Sequence, residues 1–276
     1  MELSFSKMHG LGNDFVVIDA ISQSVDLTSA QIRHIADRRL GVGCDQLLLV
    51  ERPQQNDTEF SYRIFNANGR EVEQCGNGAR CFARFVRDKG LTDASRIPVQ
   101  TPAGRIELII QDEERITVDM GVPRLEPEEI PFQATVRAPL YALSAAGETV
   151  ELGVVSMGNP HAVLEVPHVD TAPVARLGPQ IEAHSRFPNH VNVGFMEIVD
   201  PGRIRLRVFE RGVGETMACG SGACAAVVVG RIQNKLKETV DVELRGGDLV
   251  VSWAGANHPV LMTGPATFVY EGKIRI

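Results

Sequence analysis

Short apolar runs follow one another along the whole chain, and most of them end at Gly, Pro, Asn or Asp. These runs are rich in β-branched and aromatic residues, which is typical of strands. They predict strands at residues 14–19, 46–50, 62–65, 105–110, 115–120, 162–166, 204–209 and 240–244. Few helical segments separate these runs, so we expect strands to dominate the fold.

Four segments instead carry apolar residues at helical spacing. Residues 28–39 begin with a Thr and a Gln at the spacing of a capping box, and residues 174–187 are their counterpart in the second half. Residues 78–89 are apolar around much of the predicted helix, and residues 223–232 on nearly every side. A helix without a polar face must be buried. We therefore predict an α+β fold with two pseudo-symmetric domains, each a mostly antiparallel sheet or barrel wrapped around one central buried helix.

A cysteine that opens a glycine-rich stretch occurs twice, as Cys-Gly-Asn-Gly-Ala at 75–79 and Cys-Gly-Ser-Gly-Ala at 219–223. The copies lie 144 residues apart, and the fifteen-residue windows that end at each copy share six identities. Upstream, the Gly-Asn pairs at 12–13 and 158–159 are each followed by a polar Gln or Asn, 33 positions after the Asn. Spacing kept over this distance predicts a duplicated domain rather than a stacked repeat.

Proline and glycine interrupt any regular element at residues 121–139, the one stretch with a linker-like composition. We place the domain boundary there, with a first domain at 1–120 and a second at 121–264. A chain of 276 residues is long enough for two domains of ordinary size, and its 43% hydrophobic content supports a core for each.

The formal net charge is -7, with acidic and basic residues interspersed, which argues against a nucleic-acid or polybasic membrane-binding surface. We find no leader pattern and no apolar stretch near 18 residues, so neither export nor a membrane span is expected. Five cysteines without a disulfide-framework spacing fit a reducing compartment. We therefore expect a cytoplasmic protein with a small-molecule ligand.

Cys75 and Cys219 each precede a predicted helix, so both are expected at helix N-termini. Unpaired backbone N–H groups and the positive end of the helix dipole favour the thiolate there. The glycines that follow let bare N–H groups approach a ligand, so each helix start also suits a carboxylate. We expect both helix starts to face one substrate.

Two thiols suit one kind of chemistry in particular. Inverting a stereocentre by proton transfer requires a base on one face of a carbon and an acid on the other. One thiolate and one thiol meet this requirement, and they exchange roles when the reaction reverses. Donors at two helix starts would stabilise the charge that develops when a weakly acidic α-proton leaves an amino acid. The pattern predicts a racemase or epimerase that needs neither cofactor nor metal.

Longer motifs surround these residues. They are Met-His-Gly-Leu-Gly-Asn-Asp-Phe at 8–15, Asn-Ala-Asn-Gly at 66–69, Cys-Gly-Asn-Gly-Ala-Arg at 75–80, Gly-Asn-Pro-His at 158–161, Glu-Arg-Gly-Val-Gly-Glu-Thr at 210–216 and Ala-Cys-Gly-Ser-Gly at 218–222. With this combination the chain resembles the cofactor-independent diaminopimelate epimerases over essentially its whole length. The resemblance implies an isomerase that interconverts LL- and meso-2,6-diaminopimelate for lysine and peptidoglycan synthesis. It also implies a homodimer with an aromatic contact at Tyr270, in a final strand at 265–276 that returns to the first domain.

The resemblance further implies the role of each site residue. Cys75 and Cys219 match the acid and the base, and His161 and Glu210 match positions that tune the thiols. Substrate contacts of the family fall on Asn13, Gln46, Asn66, Gly76, Asn77, Asn159, Asn192, Glu210, Arg211, Gly220 and Ser221. Backbone amides from the two cysteine motifs would hold the carboxylate at the reacting carbon, and the polar side chains would hold the distal end.

Two other functions, and one other interpretation of the cysteines, remain open. A proline or hydroxyproline racemase shares the two-cysteine chemistry but would not need Arg211 to grip a second carboxylate. A redox or binding protein would use its two thiols as a reversible disulfide. A zinc site could be built from Cys75, Cys81, Cys219 and Cys224, although intervals of five and four residues do not resemble a Cys-x-x-Cys knuckle.

The site residues also have ordinary structural interpretations. A single cysteine is more often buried packing than a nucleophile. Asn66 and Asn77 could be turn formers, Glu210 and Arg211 a surface ion pair, and His161 a structural histidine. The glycine pair beside each cysteine argues for function, because we expect no packing purpose for it at a helix start. No role is assigned to Cys44, Cys81 and Cys224.

Overall fold

Strands dominate the fold, as the apolar runs predict. The computed structural model describes residues 2–72, 75–102 and 104–276. Within them lie the helices α1 (Ser29–Ala36), α2 (Gly76–Asp88), α3 (Val174–Glu182) and α4 (Gly220–Ile232) and a short 3-10 turn at Val169–Thr171. The strands of the N-terminal half are β1 (Glu2–Gly10), β2 (Asn13–Asp19), β3 (Gln46–Glu51), β4 (Phe60–Asn66), β5 (Glu71–Val72), β6 (Arg96–Thr101), β7 (Gly104–Ile110) and β8 (Arg115–Asp119). They are followed by β9 (Tyr141–Ala145), β10 (Glu148–Ser156), β11 (Pro160–Glu165), β12 (Asn192–Asp200), β13 (Arg203–Glu210), β14 (Gly214–Glu215), β15 (Thr239–Leu244), β16 (Gly247–Trp253), β17 (Val260–Pro265) and β18 (Thr267–Arg275).

Two compact units divide the chain. The first comprises Met1–Asp119 and Thr263–Ile276, and the second comprises Met120–Met262. Strand β17 carries the chain from the second unit back into the first.

The proline-rich stretch at residues 121–139 belongs to the second unit rather than lying between the two. It forms neither helix nor strand, apart from an isolated bridge between Arg124 and Ser156. Its apolar residues Ile130 and Phe132 are buried in the core of that unit. This segment is therefore packed structure, despite its linker-like composition.

The first unit wraps a mixed, mainly antiparallel sheet around α2. Strands β18, β1 and β2 are antiparallel neighbours, β3 joins β2 in parallel, and β4 is antiparallel to β3. Strand β6 then pairs in parallel with β4 and continues through the hairpins to β7 and β8. Helix α2 packs on β1 and β2 near one end of this strand order and on β7 and β8 at the other. Ten of its 13 residues are buried. Helix α1 covers the opposite face of the sheet, where Ile32 and Ile35 pack beside Val16 and Leu47.

The second unit repeats this topology, with β10 to β13, β15 and β16 around α4. Even the register is kept. Phe15 lies opposite Gln46 in the first unit, and His161 lies opposite Asn192 in the second, so both partners shift by 146 (161 minus 15 and 192 minus 46). Helices α2 and α4 have 13 residues each and start 144 residues apart (220 minus 76). The expected pseudo-symmetric α+β fold is confirmed.

The predicted elements are all present, with differences at helix ends. Each predicted strand lies within two residues of its observed limits. Helix α1 has the capping box: Thr28 Oγ1 accepts from the Gln31 N–H, and Gln31 Oε1 accepts from the Thr28 N–H. This helix ends at Ala36 rather than at residue 39, because the Asp37 carboxylate accepts from the Arg39 and Leu40 N–H groups and closes a turn.

Candidate active site

The two repeated cysteines occupy equivalent positions in their units. Cys75 is the N-cap of α2 and Cys219 the N-cap of α4, both with extended backbone. The first helical hydrogen bonds run from Ala79 N to Cys75 O at 2.8 Å and from Ala223 N to Cys219 O at 3.0 Å. The N–H groups between each pair therefore precede the helical ladder, which is the arrangement that suits an anionic ligand. All five cysteines are free thiols.

The second glycine of each cysteine motif has a packing role, which the sequence interpretation denied. A Cβ at Gly78 would lie 2.9 Å from Cδ1 of Ile64, and one at Gly222 would lie 3.0 Å from Cγ2 of Val208. Each helix start thus packs too closely on its sheet for a side chain at this position. The glycine pair is consequently weaker evidence for function than the sequence alone suggested.

Asn13 lies beside Cys75 in the first unit. Glycine at position 12 has φ +85, which closes the hairpin between β1 and β2 and brings Asn13 to the start of β2. Its Oδ1 atom accepts a hydrogen bond from Asn77 Nδ2 at 3.2 Å and lies 3.7 Å from the Cys75 sulphur. Its Nδ2 atom donates to Asp45 Oδ2 at 3.1 Å. We call Asn13, Gln46, Asn66, Cys75 and Asn77 the first half-site.

Gln46 and Asn66 form a linked pair at the paired ends of β3 and β4. Gln46 Nε2 donates to Asn66 Oδ1 at 2.8 Å. The Gln46 Oε1 atom is buried and accepts no hydrogen bond from the described part of the chain. A buried oxygen without a donor is costly in a folded protein, so this atom is suited to a ligand N–H group.

A charged cluster supports the loop that ends at Asp45. Arg38 donates to both carboxylate oxygens of Asp14, at 2.9 and 2.7 Å, and to Asp45 at 2.7 Å. Lys7 donates to Asp14 at 2.6 Å and to the carbonyl of Gly43. Burial opposes ionisation of Asp14, yet the hydrogen bonds from Arg38 and Lys7 hold its pKa well below the usual range. The cluster keeps Asp45 in place as the acceptor for Asn13.

His161 and Ser221 are the polar neighbours of Cys219 in the second unit. His161 Nε2 lies 3.0 Å from Asn159 Oδ1 and 3.0 Å from Ser221 Oγ. The Ser221 hydroxyl in turn lies 3.6 Å from the Cys219 sulphur. Glycine at position 158 has φ +91 and repeats the hairpin turn found before Asn13. We call Asn159, His161, Asn192, Glu210, Arg211, Cys219 and Ser221 the second half-site.

His161 is held neutral. Burial, followed by the positive charge of Arg211, lowers its pKa to about 3. The ring is only 1% exposed. At neutral pH it acts as a fixed hydrogen-bonding group rather than as a cation.

Burial dominates the electrostatics of Cys219 as well. Desolvation, and then the charge of Glu210, raises the pKa of the Cys219 thiol well above its usual value, against hydrogen bonds from Ser221 and the Gly222 N–H. A helix N-terminus contributes about 0.3–1 kcal/mol toward the thiolate. Burial acts in the other direction, because it removes the water that would stabilise the charged thiolate. For Cys219 the expected preference for the thiolate is therefore overturned by burial.

The remaining residues of the second half-site are fixed by the turn after β13. Asn192 Oδ1 accepts from the Arg211 N–H at 3.0 Å, and its Nδ2 donates to Pro160 O at 3.0 Å. The Arg211 guanidinium donates to Asn189 O at 3.0 Å from an exposed position. Glu210 accepts from the Thr216 hydroxyl at 2.5 Å. Asn192 thus serves the backbone of the turn that carries Arg211.

The sequence interpretation missed three supporting residues. Asp45 fixes Asn13, Thr216 holds Glu210, and Glu182 accepts from the Gly212 N–H at 2.6 Å. Thr216 ends a quoted motif and Asp45 directly precedes Gln46, whereas nothing in the sequence ties Glu182 to the turn at 212.

Tyr270 lies in β18 of the first unit. Its ring meets that of Phe5 edge to face, with the centroids 6.0 Å apart. Phe268, Val269 and Tyr270 are 44%, 50% and 43% exposed. Three consecutive exposed apolar residues make this strand an unusual part of the surface.

Two features are absent from the described residues. Within residues 2–72, 75–102 and 104–276, no group of three or more His, Cys, Asp or Glu side chains is arranged to hold a metal ion. Over the same part of the chain, no helix combines the length and apolar character that crossing a membrane requires.

Comparison with known sequences places the chain among its relatives. A sequence profile described as diaminopimelate epimerase matches residues 5–126 and 153–269. Proteins named diaminopimelate epimerase from Thioalkalivibrio sulfidiphilus and an Azoarcus species are 66% and 59% identical to this chain, over 100% of both chains. The chain belongs to the diaminopimelate epimerase family. The resemblance given by its motifs is thereby confirmed.

Solved structures extend the likeness beyond the diaminopimelate epimerase family. A hydroxyproline epimerase from Agrobacterium vitis superposes with a TM-score of 0.69 at 14% identity, covering 99% of this chain and 92% of its own. A phenazine biosynthesis protein of the PhzF family from Bacillus anthracis has a TM-score of 0.69 at 17% identity over 100% of both chains. At these identities the likeness concerns the fold alone.

Proposed function

We propose that this protein interconverts LL- and meso-2,6-diaminopimelate without a cofactor. The observation that carries the proposal is the pair of N-cap cysteines, Cys75 and Cys219, at equivalent positions in a chain that belongs to this family. Two such thiols supply the acid and the base that inversion at an α-carbon requires.

In the proposed reaction one thiolate removes the α-proton and becomes a thiol. The carbanion then takes a proton from the other thiol on the opposite face of the carbon, and that thiol becomes a thiolate. Protons balance over the turnover, and the reverse reaction exchanges the roles of Cys75 and Cys219. First-turn amides at Gly76, Asn77, Gly220 and Ser221 hold the reacting carboxylate and stabilise the negative charge.

Polar side chains of both half-sites hold the rest of the substrate in this proposal. The buried Gln46 Oε1, which accepts no hydrogen bond from described residues, suits an ammonium group. Arg211 grips the distal carboxylate, and Glu210 faces the ammonium group at the reacting centre. Asn13, Asn66, Asn159 and Asn192 supply further contacts, while His161 and Glu210 tune the Cys219 thiol.

A substrate panel tests this function. The reduced protein is incubated separately with LL-diaminopimelate, L-proline and trans-4-hydroxy-L-proline, and the stereoisomers are separated by chiral chromatography. Formation of meso-diaminopimelate alone supports the proposal. Inversion of a proline substrate instead would favour the second candidate, to which the fold shared with a hydroxyproline epimerase points.

The Arg211→Ala variant distinguishes a dicarboxylate substrate such as diaminopimelate from a proline-type substrate. If Arg211 grips a second carboxylate, this variant loses turnover of diaminopimelate by raising KM. Arg176→Ala, which removes an exposed arginine paired with Glu148 elsewhere in the second unit, is the matched control. Equal turnover by the Arg211→Ala and Arg176→Ala variants would count against a dicarboxylate substrate.

We further propose a cytoplasmic homodimer that uses the exposed strand segment around Tyr270. The apolar side chains at 268–270 support this proposal. Size-exclusion chromatography with light scattering of Tyr270→Ala should show a shift toward monomer. Val213→Ala, a change at an exposed apolar residue of the second unit, is the control.

A further inference from the structure

The two central helices differ sharply at one buried position. Arg80 and Cys224 are 144 residues apart, as are Cys75 and Cys219, so they occupy equivalent sites in α2 and α4. Both side chains are 0% exposed. Burying a guanidinium is costly unless its donors are satisfied, and the duplicated helix does without one. The difference marks Arg80 as a feature specific to the first half-site.

The Arg80 guanidinium joins three parts of the first unit. Its Nη2 donates to Asn77 Oδ1 at 2.9 Å, and its Nη1 lies 3.4 Å from Gly76 O. Its Nε donates to Pro265 O at 3.1 Å, in the segment that returns to this unit. A planar fork can hold such divergent acceptors at once, whereas a lysine ammonium cannot hold them in the same geometry.

A chain of hydrogen bonds runs from Arg80 through Asn77 and Asn13 to Asp45. The charged residues at its two ends determine how the two amide side chains are oriented. Arg80 can only donate, so Asn77 must turn its oxygen toward it and its Nδ2 toward Asn13. The Asp45 carboxylate accepts from Asn13, so Asn13 must turn its Nδ2 toward it. Both ends therefore require the Asn13 oxygen to face Asn77 Nδ2 and, at 3.7 Å, the Cys75 sulphur.

We propose that Arg80 is a positioning residue for Cys75: its buried guanidinium fixes the Asn77 and Asn13 amides and keeps a positive charge beside the start of α2. The proposal rests on the catalytic role proposed above for Cys75. The second half-site uses a different device, the neutral His161 and Ser221, so the two thiols of a duplicated fold have distinct supports.

Gly10 leaves room for this arrangement. A Cβ at position 10 would lie 3.2 Å from Arg80 Nη2 and 3.3 Å from Asn77 Cβ. Gly10→Ala therefore displaces the Arg80–Asn77 contact by a few tenths of an ångström without removing any charge. It offers a second, independent perturbation of the same hydrogen bond.

Site-specific alkylation tests the proposal without any substrate. Wild type, Arg80→Met, Arg80→Lys, Gly10→Ala and the control Cys224→Ala are treated with iodoacetamide, and the labelling rates of Cys75 and Cys219 are followed by peptide mass spectrometry. Thiolates are the reactive species, and a nearby cation favours them. We expect Arg80→Met to slow labelling of Cys75 at least fivefold and to leave Cys219 within twofold. Arg80→Lys should restore the Cys75 rate to within twofold, and Cys224→Ala should leave it unchanged.

Steady-state kinetics on the same variants measure how well Arg80 positions Cys75 for catalysis. Arg80→Met should lower kcat at least tenfold with KM within threefold, and Arg80→Lys should recover only part of kcat because it keeps the charge but not the fork. Wild-type labelling and kcat in a folded Arg80→Met variant would overturn the proposal, as would equal slowing at both cysteines. If Arg80→Met does not fold, the Gly10→Ala variant tests the proposal. Its kcat should be at least threefold lower than that of the wild type. An unchanged kcat would contradict the positioning role of Arg80. Absence of epimerisation in the wild type would refute the proposed function, whereas the labelling comparison would still test Arg80.

Discussion

The Nε2 atom of His161 lies 3.0 Å from the hydroxyl oxygen of Ser221. The same nitrogen lies 3.0 Å from Asn159 Oδ1, an atom that can only accept. With the proton on Nε2, the ring satisfies Asn159 and leaves the Ser221 hydroxyl hydrogen free for the Cys219 sulphur, 3.6 Å away. The histidine thus orients a donor for the thiolate of Cys219.

Removing that donor should slow turnover. A hydrogen bond to a charged group contributes about 1.5–3 kcal/mol, so Ser221→Ala should lower kcat about 10- to 100-fold. Ser252→Ala is the matched control, because it removes a hydroxyl on β16 that is hydrogen-bonded to Thr239 on β15. Steady-state kinetics with equal kcat values for the two variants would show that Ser221 does not assist Cys219.

The neutral His161 also makes stability depend on pH. Its pKa falls from 6.5 to about 3 on folding, so between these values the unfolded chain binds a proton that the native chain does not. The free energy of unfolding should therefore decrease as the pH falls from 6.5 toward 3, by about 1.4 kcal/mol per pH unit from this group. Urea unfolding of wild type and His161→Gln at pH 7.0 and 5.0 measures the difference. Parallel pH dependence in the two proteins would contradict the burial of a neutral ring.

The catalytic proposal predicts a sharp division among the cysteines. Cys75→Ser and Cys219→Ser should each lower epimerisation by about 10²- to 10⁴-fold, the contribution typical of a positioned acid or base. Cys44 is buried at the α1 side of the first unit, where desolvation raises its pKa to about 11. Cys44→Ala should keep nearly full kcat in a coupled or chromatographic assay. Substantial epimerisation by the Cys75→Ser, Cys219→Ser double variant would eliminate the two-thiol mechanism.

Close packing of α4 on its sheet predicts a stability difference between two buried glycines. A Cβ at Gly153 would lie 2.4 Å from Cγ1 of Val229, whereas one at Gly194 would meet nothing nearer than 3.5 Å. Overpacking a core costs about 1–3 kcal/mol, so Gly153→Ala should lower the free energy of unfolding by that amount. Gly194→Ala should cost less than about 1 kcal/mol. Equal urea midpoints for the two variants would refute this packing argument.

The sequence predicted the repeated part of this fold well, because duplication supplies two versions of each pattern. The apolar run 223–232 could be a strand by its valines, yet its copy at 78–89 indicates a helix, and α4 is one. Two of the strands that escaped prediction break the simple pattern. Strand β6 contains Pro98, and β12 contains Gly194, two residues that weaken strand propensity.

The local supports of the site were harder to predict, since they depend on distant residues. Asp45 reaches Asn13 across a separation of 32 residues, and Arg80 reaches Pro265 across 185. The motifs indicate candidate ligand-binding residues. Where a supporting residue lies inside a motif, as Arg80 and Thr216 do, the motif does not show which side chain that residue holds. The raised pKa of Cys219 was missed for a related reason, because the burial that causes it follows from the fold and not from the local motif.

The central claim is two-thiol proton exchange at the α-carbon of diaminopimelate. The most direct test incubates reduced protein with LL-diaminopimelate in deuterated water, without added cofactor, and follows the α-proton signal by NMR. We predict that deuterium enters the α-position as the meso isomer forms, and that iodoacetamide treatment abolishes both changes. No loss of the α-proton signal with fully reduced thiols would contradict this account.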